Sequence, residues 1–161
     1  MEKLGWALHT CQAFEHSLCL LMSLLSEHRS PSRGQAFLAS WDFHSRKTLG
    51  YLVRALRDEI EIPNDFEEYL KEGVDCRNRI VHHFITDAGM RLLDPKGRLE
   101  VIHDLHELKE NVKSRDRSLE PIIDKLLEKY GLSTEILKTR ADKNWKWSNY
   151  QTSDRKPPGN Q

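Results

Sequence analysis

One stretch of the chain, Cys76-Arg77-Asn78-Arg79-Ile80-Val81-His82-His83-Phe84, gathers two arginines, an amide and two imidazoles. An imidazole takes up and returns protons near neutral pH, and a guanidinium can hold two phosphate oxygens by parallel hydrogen bonds. On a helix, Asn78 and His82 share a face, and Arg79 lies one turn before His82 and His83. Arg77 falls among Phe66, Leu70, Val74, Val81 and Phe84, an apolar stripe in which an unpaired charge is costly. A residue chosen for packing alone would be Leu or Ala. Arg77 and His82 point about 140° apart on an ideal helix. They meet only if the arginine stem reaches round, if the helix distorts, or if two copies of the motif face one another across a symmetry axis. The last option makes a dimer with a shared cleft.

The elements that would position these groups follow from periodicity. Leu4, Leu8, Cys11, Phe14, Leu18, Leu21, Met22 and Leu25 recur at helical steps and predict a helix from about Glu2 to His28, ended by Ser30-Pro31-Ser32-Arg33-Gly34. A second helix is expected from Ser40 or Asp42 to Glu61, burying Leu49, Leu52, Val53, Leu56 and Ile60. Asn64 with Glu67 reads as a capping box that opens a third helix carrying the motif. Asp94-Pro95-Lys96-Gly97 has turn chemistry, and its flanks, 90–93 and 98–101, predict a short β-hairpin. Helical spacing resumes through Ile102, Leu105, Leu108 and Val112. Ser118-Leu119-Glu120-Pro121 reads as a fresh helix start, and Gly131 as the C-cap of that last helix. A short helix over about Thr134 to Arg140 and a polar tail over 141–161 complete the expectation: one all-α bundle over 1–140 and an extension.

Composition narrows the function classes. The 161 residues include 25 basic and 25 acidic side chains, so the formal charge cancels. That argues against broad coating of nucleic acid by counterion release, though a local cleft needs only a few cations. Cys11, Cys19 and Cys76 are odd in number and lack C-x-x-C spacing, which predicts reduced, mostly buried thiols rather than disulfides or a thiolate zinc site. No apolar run is long enough to span a bilayer, and the first residues lack a basic leader with a cleavage site, so no membrane partner and a cytoplasmic location are expected.

Arg77-Asn78-Arg79-Ile80-Val81-His82 resembles the R-x(4–6)-H signature of HEPN domains, in its R-N-x-x-x-H form. The resemblance extends over about residues 2–130 in helix order and over this motif in residue detail. It implies an up-and-down bundle of four or five helices that dimerises with paired motifs in one cleft, as in HepT-like and defence-associated members. It also implies a metal-independent ribonuclease without cofactors, of the kind found in toxin–antitoxin, phage-defence and stress systems. RNA would be the substrate, and an antitoxin or regulatory protein a further partner. His82 would be the general acid/base and Arg77 the clamp on the phosphate in the transition state. Asn78 would orient either, and Arg79 and His83 would be auxiliary RNA contacts. Several relatives carry a Tyr two residues after the His; Phe84 stands there, so no phenolic hydroxyl takes part.

Competing readings are plainer. Arg77 could form an ion pair with Asp58, Glu59 or Glu72, and His82 could be a solvated helix residue without a role. The domain could be a non-catalytic HEPN module that binds nucleotide or protein, or a helical scaffold. His103 and His106 have metal-ligand spacing, but a solvated face explains them better. His16, near Cys11, Glu15 and Cys19, reads as incidental. The G-x-S-x-G elbow and the G-x-x-x-x-G-K-[ST] loop are missing from the sequence. Lys143-Asn144-Trp145-Lys146-Trp147 interleaves cations with aromatics, suiting either base stacking or packing on the bundle.

Overall fold

Apolar residues at three- and four-residue steps over Glu2–Arg29 form one long helix, α1, which buries Ala7, Cys11, Phe14, Leu18 and Leu21 completely or nearly so. The computed structural model describes residues 2–131. The helix expected near Thr134 to Arg140 and the Trp145–Trp147 segment lie outside the described residues. Within them the chain is an all-helical bundle with no strand. After α1 come α2 (Gln35–His44), α3 (Leu49–Glu59), α4 (Asn64–Asn78), a π-helical turn (Arg79–His83), α5 (Phe84–Ala88), a 3₁₀ turn (Gly89–Leu93) and α6 (Pro95–Glu128). α1 packs along α6 and on α2, while α4 lies on α6 and against α3.

The corner between α1 and α2 is fixed by a carboxylate. Glu27, almost fully buried, accepts the amides of Ser32 (2.8 Å), Gly34 (2.9 Å) and Phe37 (3.2 Å) and the Ser32 hydroxyl (2.8 Å). The Gly34 and Ser32 amides hold its carboxyl well below the ordinary 4.5, at about 2. A depressed carboxyl stabilises the fold above its unfolded value and loses that contribution as pH falls through its folded value. Wild type is therefore expected to lose thermal stability between about pH 4.5 and 2 more steeply than Glu27→Gln. Melting temperatures across that range test this, and parallel curves would remove Glu27 from the anchor.

Four expectations need correction. The second helix is two: Thr48 caps α3, its side chain accepting the Tyr51 amide at 3.3 Å, so the chain turns between His44 and Leu49. Asn64 lies inside α4 rather than capping it, and Glu67 is buried between Lys71 (3.0 Å) and Arg57 (3.5 Å) instead of reaching back to the cap. The hairpin over 90–101 is absent. Asp94 accepts the Gly97 amide at 2.8 Å and Pro95 takes the first helical position, so the turn chemistry there is that of a helix start. Finally, no new helix begins at Ser118. α6 runs unbroken for 34 residues with Pro121 inside it. The ladder bond lost at Pro121 is outweighed by burial of Leu119, Ile123 and Leu127. Gly131 sits just past its end with φ 64°, its amide on Glu128 O at 3.0 Å.

Arg115 ties α6 to α4. Its guanidinium is buried, donates to Tyr69 O (3.1 Å), Asn111 O (3.3 Å) and Glu72 (2.6 Å), and lies 4.1 Å from the centre of the Tyr69 ring. α4, which leads into the motif, is thereby held in register on the longest helix.

Candidate functional site

α4 delivers Arg77 and Asn78 in its last turn, and the π-helical turn delivers His82 and His83. An i→i+5 turn brings residues five apart towards one face, as an α-turn does residues four apart. The distortion thus closes the angle that separates Arg77 from His82 on an ideal helix. It also shifts the apolar stripe: Ile80 is buried, and Val81, expected inside, is 37% exposed.

Arg77 is mostly covered and makes contacts on two sides. Its Nε and one terminal nitrogen (NH2) meet Glu15 Oε1 of α1 at 2.6 and 2.5 Å. Its other terminal nitrogen (NH1) donates to Asn78 Oδ1 at 3.0 Å and lies 3.2 Å from His82 Nε2. Because a guanidinium only donates, the last contact requires Nε2 to be unprotonated. Protonating that atom turns the hydrogen bond into a repulsion and frees the ring. The guanidinium is therefore a bridge between a carboxylate and an imidazole.

These groups line one wall of an open groove of about 580 Å³, together with Glu15, Val74 and His83. The facing wall is the α2–α3 corner: Arg46, Lys47, Thr48, Leu49 and Gly50. Two exposed cations there add to Arg77, offset by Glu15 and by Asp42, which pairs with Arg46 at 2.6 Å. His82 and His83 are both exposed, their rings 6.2 Å apart and nearly perpendicular.

The sequence-predicted residues thus divide. Arg77, Asn78 and His82 meet directly, and His83 joins them at the groove. Arg79 does not: it turns to a separate hollow with Cys76, Asp104, Glu107, Leu108 and Asn111, and its Nε lies 3.5 Å from Asp87. The partner of Arg77 is not Asp58, Glu59 or Glu72, which pair with Arg57, Arg29 and Arg115. It is Glu15, which sequence reasoning passed over. Its place on α1 beside Phe14, flanking the buried Cys11–Phe14–Leu18 face, was the available signal. Arg46, Lys47 and Thr48 carried no local signature.

His103 reaches Glu107 at 3.3 Å, both exposed, and no group of three His, Cys, Asp or Glu side chains converges among the described residues. No described helix is long and apolar enough to cross a membrane. Cys11 and Cys19 are buried and Cys76 is half-buried. Burial pushes the Cys11 thiol up to about 11, against the pull of nearby Arg77. Native protein at pH 8 is accordingly expected to leave Cys11 unalkylated by iodoacetamide until denatured, as counted by mass spectrometry. Prompt labelling of Cys11 would contradict its burial. In comparisons with family models, curated proteins and solved structures, nothing matches the chain significantly.

Proposed function

We propose that the chain is a HEPN-type endoribonuclease acting through Arg77, Asn78 and His82. The observation that carries this reading is the Arg77 guanidinium within 3.2 Å of both Asn78 and His82 on the wall of an open groove. In the proposed reaction the ribose 2′-oxygen attacks the adjacent phosphorus and loses its proton to an imidazole. The bond from phosphorus to the 5′-oxygen breaks, and a second acid protonates that oxygen. Products are a 2′,3′-cyclic phosphate and a 5′-hydroxyl. The guanidinium neutralises charge on the equatorial oxygens as it builds. Side chains alone supply every proton transfer.

A second copy would provide the second imidazole. Exposed apolar side chains in and just after the motif, Val81, Ile85, Met90 and Leu93, suit such pairing. An antitoxin or other restraining protein is the further partner this reading calls for. The Glu15–Arg77 pair favours a different reading, a non-catalytic module in which the arginine is already satisfied. Incubating the purified chain with single-stranded RNA in EDTA separates the two. Cleavage that ends in cyclic phosphate and is lost in His82→Ala and Arg77→Ala supports the enzyme. Equal background in all three preparations leaves the binding module.

A further inference from the structure

The α2–α3 corner that faces the motif carries more than two cations. Phe43, 49% exposed, stands at the end of α2 with its ring 6.4 Å from Tyr51 and 5.0 Å from His44. Lys47, a groove residue, places its Nζ 4.2 Å from the Phe43 ring centre and 5.5 Å from that of Tyr51. Arg46 lines the groove beside it. A half-open aromatic ring, adjoining cations and an open groove are the parts from which single-strand subsites are built: base on ring, backbone on cation.

We infer that Phe43, Arg46 and Lys47 form a nucleotide subsite next to the scissile position, stacking one unpaired base on Phe43 and holding its phosphate at Arg46 and Lys47. The inference rests on the ribonuclease reading of the groove and adds a substrate class to it: single-stranded RNA with at least one nucleotide beyond the cleaved linkage. A duplex keeps its bases stacked on one another, so none is free to lie on Phe43. Within the corner Arg46 is paired with Asp42 and Lys47 stands over the Phe43 ring, so a bound phosphate would draw both cations from these contacts. The cation touching Phe43 is itself a groove residue, so base and phosphate would be met side by side.

The test compares a dinucleotide, which has only the scissile phosphate, with a tetranucleotide of the same cleaved step. Wild type should prefer the tetranucleotide in kcat/KM. Phe43→Ala and Lys47→Ala should each cut that preference by about tenfold, and Phe43→Tyr should restore it. Preference unchanged in both alanine variants, or equal loss on both substrates, overturns the subsite. If wild type cleaves neither substrate, the nuclease reading falls separately. The subsite is then judged by the affinity of a 2′-deoxy tetranucleotide in fluorescence anisotropy. Weaker binding by Phe43→Ala than by Phe43→Tyr upholds it, and equal binding ends it.

Discussion

Arg77→Lys is expected to lower the proposed RNA cleavage by roughly two to three orders of magnitude, the range seen when one preorganised donor to a developing oxyanion is lost. Charge is conserved in this change, so the loss isolates geometry. A guanidinium spans Glu15 on one edge and Asn78 with His82 on the other, whereas an ammonium is a single point that reaches one of them. Stability should fall by only about 1 kcal/mol, because Lys can still face Glu15 at this partly covered position. His82→Ala, at an exposed position, should cost a further measure of the same chemistry, on the order of 10²–10⁴-fold, with little change in melting. Rates on a single-stranded RNA in EDTA, beside a thermal melt, give both readouts. Lysine at position 77 supporting cleavage within twofold of wild type would mean that the guanidinium fork does not act on phosphate.

The largest effect on stability is expected at a glycine remote from the groove. A Cβ on Gly97 would sit 2.4 Å from Arg91 O and 3.0 Å from the Arg91 carbonyl carbon and Cα. These are backbone atoms, so relief requires moving the 3₁₀ turn away from the first turn of α6. Gly97→Ala should therefore cost about 3 kcal/mol, the upper end of overpacking, even though alanine is the better helix former by about 1 kcal/mol. Gly73 offers the contrast. Its Cβ would meet side-chain rather than backbone atoms, Arg115 Cγ at 2.9 Å, Arg115 Cβ at 3.1 Å and Phe14 Cε1 at 3.2 Å, so relief displaces buried side chains and not a neighbouring main chain. Gly73→Ala should cost roughly half as much. Urea midpoints of the two variants decide, and Gly73→Ala proving the more damaging would refute the backbone-clash account.

Periodicity made α1 legible to within a residue of its end, because a long amphipathic stripe closed by Pro31 and Gly34 leaves few alternatives. It failed where two local signals compete. Asp94-Pro95-Lys96-Gly97 has the residues of a β-turn and also those of a capped helix start, and only Val101 and Leu105 packing into the core chooses between them. Ser118 and Pro121 imitate a helix start inside α6 for the same reason. At the site, spacing singled out Arg77, Asn78 and His82 but left open whether Arg77 and His82 meet by a reaching stem, a distorted helix or a second copy. The Glu15 contact is a tertiary outcome that joins α1 to the last turn of α4. No fixed sequence separation encodes a partner 62 positions away.

The first and last described helices cover one another along the core, so the bundle is closed by segments far apart in the chain. Part of α1's apolar face has no cover until α6 exists. A nascent polypeptide would thus complete the cover of α1 only after α6 has emerged, although α2 and α3 pack on it earlier. Folding of this kind is completed by a long-range closure. The arginine-to-carboxylate bridge joins α1 to α4 and so forms only once α4 has been made and docked.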